Sequence, residues 1–224
     1  MAYCTIAELR TQIDLNETES GPASDAALEL IINAVTAAFN VYCNRPDGFV
    51  ASETATARTF AGQGDPWLYI DECAAITSVA VKDSPSDDDY TAWAADDWIA
   101  FTGGHDYPDY NSTPYNGLIV DPDGTGGYAV FTSGRFGYSR GFRPTGTGVR
   151  VKPTVQVTAK WGYSLTVPAD IRQACITESA RWFKQGEGAW GDALASADLG
   201  KLMHVADLSP TVKRLLARYI VVAV

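Results

Sequence analysis

The chain has 224 residues and a formal net charge of −10, from 27 acidic and 17 basic residues. This charge has the wrong sign for a protein that binds nucleic acid over its whole surface, so any contact with DNA is expected to be local. No apolar run reaches the roughly 20 residues that a membrane span needs, and the opening residues run directly into a predicted helix, so we expect a soluble protein without a signal peptide. The four cysteines are dispersed without CxxC pairing, which predicts free, mostly buried thiols in a reducing compartment.

The first predicted elements are two helices. Thr5 and Glu8 have the spacing of a capping box at the start of a short helix. Ser24 is placed to cap a second helix that runs to Asn44, where Pro46 prevents continuation. The apolar residues of this second helix recur at the spacing of one buried stripe. They are Leu28, Ile31, Ile32, Val35, Phe39 and Tyr42.

Between residues 51 and 163 the sequence changes to short runs rich in β-branched and aromatic residues, which predict strands. These runs are Thr54–Phe60, Trp67–Ile70, Ile76–Val81, Trp98–Phe101, Gly117–Val120, Tyr128–Thr132 and Thr154–Trp161. Several short strands separated by Gly, Pro and Asp predict a small antiparallel sandwich or barrel.

After the β region the helical pattern returns. Pro168 and Asp170 mark the start of a third helix that extends to Gln185. Three glycines between positions 186 and 191 then predict a long loop to about residue 207, and Ser209 with Pro210 caps a last helix. We therefore predict an α+β fold. Residues 1–50 and 164–224 form a small helical bundle, and residues 51–163 form a large inserted antiparallel β domain.

Two adjacent blocks of opposite charge cover residues 83–169. From Asp83 to Asp123 there are ten acids and no base, and from Gly124 to Ala169 there are six bases and no acid. The blocks either neutralise each other within one domain or meet across a subunit boundary. The acidic run Asp87-Asp88-Asp89 predicts a solvated loop.

Within the basic block, arginines alternate with aromatic residues between positions 135 and 143. Arg135, Arg140 and Arg143, together with these aromatics, are suited either to stacking on bases and neutralising phosphates or to docking on protein. We favour a protein partner, because the whole chain is acidic.

No set of residues predicts a catalytic or metal site. His105 and His204, the only histidines, lack neighbours at ligand spacing and are expected at the surface, so neither a zinc site nor a His-based triad is supported. The segment 121–127 is similar to a calcium loop, but Thr132 stands where a bidentate Glu is needed, and a turn is favoured. We expect a non-enzymatic protein without a cofactor.

Three stretches near the ends of the chain share their order and spacing with a known family. They are the opening helix pair that runs into Tyr42–Pro46, the strand and Trp161-Gly162 turn that lead to the helix start Pro168–Ile171, and the closing segment Ser209–Tyr219. In this order they resemble the head-to-tail connectors of tailed phages of the siphophage type, also called adaptor or head-completion proteins. The likeness covers somewhat under half of the chain and leaves out the β region Glu53–Lys160 and the segment 186–207.

The resemblance implies a structural virion protein that is made in the host cytoplasm and located in the neck. It implies a ring, usually of twelve copies, beneath the portal protein and above a stopper or tail completion protein, with genomic DNA passing through the channel without sequence-specific binding. Because an apolar terminus needs a partner, the residues expected to dock on the portal are Leu215, Leu216, Tyr219, Ile220 and Val222. The residues expected to contact neighbouring subunits or rings are Arg135, Arg140, Arg143, Asp87, Asp88 and Asp89.

Two other classes of function stay open. A carbohydrate-binding or adhesion module of a virion would use the aromatic residues of the β region. These are Trp67, Trp93, Trp98, Tyr107, Tyr110 and Tyr115. An enzyme that uses the carboxylates of the acidic block is the third class, although no pair at catalytic separation follows from a loop-rich sequence.

Overall fold

The computed structural model describes residues 2–13, 25–104, 106–136, 150–191 and 208–221. The chain divides into two compact units. The helical unit comprises residues 1–49 and 166–224, and the β unit comprises residues 50–165. Helices and a large antiparallel sheet are both present, which confirms the predicted α+β class.

The helical unit is built around its third helix. Its elements are α1 (Ile6–Gln12), α2 (Asp25–Tyr42), α3 (Ala169–Gly191), α4 (Pro210–Leu216) and a short 3-10 turn (Ala217–Tyr219). Helix α3 packs against α1, α2 and α4, so both ends of the chain contribute to one core. The side chains that fill this core include Leu9, Leu28, Ile32, Val35, Phe39, Ile171, Val212 and Leu216.

The helix ends follow local sequence signals. The capping box is confirmed, because the Thr5 side chain accepts from the Glu8 N–H while the Glu8 side chain accepts from the Thr5 N–H. Helix α2 ends at a left-handed Asn44 (φ 53°), and the next residue, Arg45, donates its N–H to the Asn40 carbonyl at 2.9 Å. This is a Schellman motif, in which asparagine takes the place usually occupied by glycine.

Helix α3 is longer than the sequence predicts. It runs through the glycines at positions 186, 188 and 191 to end at Gly191, so the loop expected to begin at residue 186 is wrong. Each glycine costs only about 1 kcal/mol in a helix interior, and extending an existing helix needs no new nucleus. The remainder of the expected loop, and Ser24 at the start of α2, lie outside the described residues.

The β unit contains one six-stranded antiparallel sheet. Its strands are β1 (Thr56–Phe60), β2 (Trp67–Val81), β3 (Thr91–Ala92), β4 (Trp98–Phe101), β5 (Tyr115–Val120) and β8 (Val155–Trp161). The pairing order is β1-β8-β2-β5-β4, and β3 pairs with β2. A separate two-stranded sheet joins β6 (Arg135–Phe136) to β7 (Arg150–Val151).

Strand β2 connects the two halves of the sheet. The sequence predicts two strands in this region, but the structure has one, whose first half pairs with β5 (Leu68 opposite Leu118) and whose second half pairs with β8 (Val79 opposite Val157). Register shifts between residues 69 and 78 accompany the change of partner. β-bulges of this kind bend a strand, which lets a single segment serve two neighbours.

The predicted strand Tyr128–Thr132 is wrong, because this segment has no ladder partner in the structure. Its aromatic residues pack on Trp93 instead: the Tyr128 ring stacks at 4.1 Å and the Phe131 ring at 5.3 Å between centroids. Phe131 is fully buried. The apolar pattern in the sequence therefore reports burial of side chains and not strand pairing.

Candidate interaction surfaces

The C-terminal segment, residues 208–221, packs on its own helical unit. Leu216 is fully buried, Leu215 and Tyr219 are half-buried, and Ile220 is exposed. Val222 lies outside the described residues. Of the described residues expected to dock on the portal, Ile220 is therefore the most exposed, at 41%.

Hydrogen bonds attach this segment to the end of α2. The Arg45 Nε donates to the Tyr219 carbonyl at 2.8 Å, and the Asn44 Nδ2 donates to the Val221 carbonyl at 3.2 Å. The Val221 N–H donates to the Cys43 carbonyl at 3.0 Å. The residues that end α2 are thus also those that bind the C-terminal segment.

Asp170, in the first turn of α3, is a second attachment point. It accepts the Tyr219 hydroxyl at 2.6 Å and forms an ion pair with Arg218. Burial alone would raise the pKa of Asp170, but the hydrogen bonds from Tyr219 and the Ile171 N–H, together with the Arg218 charge, outweigh it and hold that pKa below its ordinary value. The ionised carboxylate therefore stabilises the helical unit.

Glu178 joins the middle of α3 to the start of α4. Its fully buried carboxylate pairs with Arg181 and accepts the Trp182 indole N–H at 3.0 Å. It also accepts the backbone N–H of Ser209 at 3.3 Å, and Ser209 in turn is the N-cap of α4. Burying a charged carboxylate costs free energy, and several hydrogen-bond donors with a paired cation offset this cost.

The N-terminal segment is bound in the same way. The Tyr3 hydroxyl donates to Asn40 Oδ1 and accepts the Phe49 N–H at 2.8 Å. Burial is the main cause of a raised Tyr3 pKa, so the hydroxyl keeps its proton and both hydrogen bonds. Phe49 also meets the Tyr219 ring edge to face at 5.4 Å, so the two ends of the chain contact the same residue.

All four cysteines are buried and free, which confirms the prediction of unpaired thiols. The sulfurs of Cys4 and Cys175 lie 3.5 Å apart. The hydrogen bond to Cys175, aided by burial, raises the pKa of Cys4 far above its ordinary value. Burial raises the pKa of Cys43 to about 11 and that of Cys73 to about 12.

The outward face of α2 is apolar, which sequence reasoning missed. Leu30 is 71% exposed and Val41 is 82% exposed. Ala26, Ala34 and Ala37 are exposed at positions that continue the same face. The members of this stripe are four, four, three and four residues apart, which is visible in the sequence. The sequence has a second apolar stripe on the same helix, which contains Leu28, and that second stripe packs inward.

The outward face of α4 is basic. Arg214 is exposed, and within the part of the chain that the structure describes its guanidinium has no side-chain partner. Ala217 and Ile220 are exposed close to it in the chain, and Arg218 is occupied by Asp170. This face combines the exposed Arg214 guanidinium with apolar surface.

The residues expected to contact neighbouring subunits lie in the β unit. Asp87, Asp88 and Asp89 are exposed in the connection from β2 to β3, and the Asp87 carboxylate accepts the Ser84 N–H at 2.7 Å. Arg135 begins β6. Arg140 and Arg143 lie outside the described residues, as do His105 and His204, so the contact between the two charged groups stays a prediction.

The acidic segment 121–127 forms turns, in which the Gly124 N–H donates to the Asp121 carbonyl at 3.1 Å. The buried carboxylate of Asp97 accepts the N–H groups of Ala94 at 2.8 Å and Gly126 at 2.6 Å. Asp97 is therefore engaged in fixing two turns against each other. Within the described ranges, no group of three or more His, Cys, Asp or Glu side chains is placed to hold a metal ion.

The aromatic residues considered for carbohydrate binding do not form one exposed face of tryptophans. Trp93 is buried in the core, and Trp67 and Trp98 are half-buried. Tyr107 and Tyr110 are exposed, whereas Tyr115 is half-buried. The three tryptophans belong to the packing of the sheet, so they do not offer an exposed platform for sugar stacking.

No helix in the described part of the chain is both long enough and apolar enough to cross a membrane.

Comparison with known proteins gives a match of fold. No protein-family model matches the sequence, and no curated protein matches it. A solved structure described as "Neck of empty GTA particle computed with C6 symmetry" contains a chain that is similar with a TM-score of 0.51 and 17% sequence identity. The similarity covers 97% of this chain and 89% of that chain. At this identity the likeness establishes a shared fold.

Proposed function

We propose that the chain is a structural neck component of a tailed-phage-like virion, a head-to-tail connector that forms a ring beneath the portal protein. The observation that carries this proposal is the fold shared with a chain from the neck of a GTA particle, over nearly the full length of both chains. The ordered motifs at the two ends of the sequence support the same family independently, because they are features of the sequence and not of the fold.

In the proposed ring the chain has no reaction to catalyse, and its task is to join a DNA-filled capsid to the tail. Each phosphate contact adds affinity, so a channel that lets DNA slide must offer few of them. The net charge of −10 suits that requirement. The ring would bind the portal on one side and a stopper or tail completion protein on the other.

For the portal contact, the described residues favour a surface around Ile220. This residue is exposed, while Leu216 is committed to the core and Tyr219 to Asp170. An exposed apolar side chain next to a rigidly attached backbone loses little conformational freedom on binding. Val222 continues this surface in the sequence.

The proposal is tested by mixing the purified full-length chain with the portal protein of the same virus. We expect a complex of defined mass in analytical ultracentrifugation and annular particles with a central opening in negative-stain electron microscopy. A tagged copy is expected at the neck of assembled virions. A chain that stays apart from the portal and is absent from purified necks would overturn the proposal.

A further inference from the structure

The outward faces of α2 and α4 are complementary, and we propose that α2 of one copy binds α4 of the next copy around the ring. The inference rests on the proposed function, because a contact repeated around a closed axis is head to tail and needs two different surfaces on each subunit. It assigns those two surfaces to helices of the helical unit, whereas the sequence suggested charged groups in the β region.

The first surface is the apolar stripe of α2. At 3.6 residues per turn its members fall within an arc of about 80° and extend over about 22 Å of helix. They are Ala26, Leu30, Ala34, Ala37 and Val41, all exposed. A solvated helix face normally carries charged side chains. Here the exposed charged residues are Asp25 and Glu29, both near the start of the helix, and Asn33 is an exposed polar residue beside the stripe.

The second surface is the outward face of α4 with the turn that follows it. Arg214 supplies a positive charge, and the exposed Ala217 supplies apolar surface beside it. On α2, Asp25 is paired with Arg10 at 2.7 Å, while the exposed Glu29 has no partner among the residues that the structure describes. Glu29 and Arg214 are thus an available acid and an available base, each beside exposed apolar side chains.

The two surfaces lie on helices that each pack against α3. Helices α2 and α4 each pack against α3 through their inward faces, which contain Val35 and Val212. The stripe of α2 stays exposed within the single chain, so a chain does not cover its own stripe with its own α4. A second copy can cover it, and the same contact then leaves a free stripe on the second copy for a third.

The first experiment reverses the charges. Self-association of the full-length chain, alone and on the portal, is measured by native mass spectrometry for Glu29→Arg, for Arg214→Glu and for the double variant. We expect each single reversal to weaken association and the double variant to restore it, because the pair is re-formed with opposite polarity. Lys184→Glu, which reverses an exposed charge on α3, is the matched control and is expected to associate normally.

The second experiment tests the apolar part. Leu30→Glu keeps a good helix former at an exposed position, and we expect it to weaken association by about thirtyfold or more, the size of a central interface substitution. Tyr107→Glu, at a 90% exposed site in the β unit, is the control. Unchanged circular dichroism and thermal midpoint in both variants separate loss of the contact from loss of folding.

The third experiment distinguishes a head-to-tail contact from a two-fold one. Chains that carry both Leu30→Cys and Ala217→Cys are treated with a short bismaleimide. We expect a ladder of cross-linked dimers, trimers and larger species from the double variant, and no covalent dimer from either single variant alone. A covalent dimer from Leu30→Cys alone would mean that two α2 stripes meet, and this would overturn the inference.

The outcomes separate the inference from the proposed function. If the wild-type chain is found in necks and Leu30→Glu enters them equally well, the α2–α4 contact is wrong and the neck role stands. If the portal covers the stripe instead, Leu30→Glu would lose portal binding while self-association stays intact. This result would also overturn the inference. If the wild-type chain neither self-associates nor enters necks, both proposals fail.

Discussion

The two units are stabilised in different ways. In the β unit, backbone ladders join β2 to β5 and to β8 over a core that includes the stacked rings of Trp93 and Phe131. In the helical unit, segments from both ends of the chain are joined by side chains that bond to distant backbone or to one another. Examples are Tyr3 with Phe49, Glu178 with Ser209, Arg45 with Tyr219 and Asp170 with Tyr219.

The difference follows from how each unit is assembled. A sheet formed from one continuous stretch of chain satisfies most of its polar groups through strand pairing. Helices satisfy their backbone internally, so helices from opposite ends of a chain need apolar packing and specific side-chain bonds to fix their mutual positions. We therefore expect the helical unit to depend more strongly on pH and on single polar substitutions. Measuring the stability of each unit separately tests this expectation.

The largest effect is expected in the β unit. Phe131→Ala removes a fully buried ring from a segment that is not part of a strand. It should lower the free energy of unfolding by about 3–5 kcal/mol. Tryptophan fluorescence in denaturant reports this, because Trp67, Trp93, Trp98 and Trp161 lie in this unit. Val130→Ala, at the exposed neighbouring position, should change stability by less than about 0.5 kcal/mol. Equal effects of the two substitutions would contradict the assigned packing.

In the helical unit, Glu178→Gln keeps the size of the side chain and removes its charge. We expect a loss of about 1–3 kcal/mol, because the buried donors of Trp182 and Ser209 are left with a poorer acceptor. Far-ultraviolet circular dichroism follows the helices during unfolding. The exposed Glu29→Gln is the matched control and should be close to neutral. If Glu178→Gln were also neutral, the connection between α3 and α4 would rest on apolar contacts alone.

Acid is expected to weaken the helical unit through Asp170. Its pKa in the folded chain is held below the unfolded value of about 3.9, so its contribution is present above that value and is lost as the pH falls through the folded pKa. Tyr219→Phe removes one hydrogen bond to the carboxylate and should raise the pKa of Asp170. The variant should therefore show a smaller loss of stability between pH 5 and pH 2, as integrated from unfolding midpoints, than the wild-type chain. An unchanged pH profile would show that Asp170 is stabilised by other groups.

The smallest effect is expected at the start of α1. Thr5→Ala removes the side chain that accepts the Glu8 N–H and should cost about 1 kcal/mol. Thr11→Ala, inside the same helix, is the contrasting variant, because alanine has the higher helix propensity and should leave stability equal or slightly higher. Hydrogen exchange of the α1 amides would resolve a difference too small for global unfolding.

The sequence predicts an element correctly where a local sequence signal determines it. The Thr5 capping box, the Ser209 and Pro210 start of α4 and the alternation along β8 are all present as expected. Predictions fail where a contact with a distant part of the chain determines the local conformation. Strand β2 changes partner through bulges, and the segment at Phe131 is fixed by Trp93 from another part of the chain. Strands β3, β6 and β7 have two residues each, too few for any periodicity.

For the candidate surfaces, the sequence identifies apolar residues but not which of them face outward. Helix α2 has two apolar stripes, and only the packing of α3 shows that the one containing Leu28 is covered and the one containing Leu30 is not. In the same way, Leu216 and Ile220 look equivalent in the sequence, although one is fully buried and the other is exposed. A resemblance at the chain ends could suggest a neck protein without assigning its faces.

The burial of all four cysteine thiols has a practical consequence for spectroscopy. Because Cys4, Cys43 and Cys73 carry raised pKa values and all four cysteines are shielded, thiol-directed dyes and spin labels should leave the wild-type chain unmodified. A single cysteine introduced on the surface would then be the residue that takes up the label, because the native cysteines do not react. Pairs of such labels could report distances between neighbouring subunits while a particle is being built.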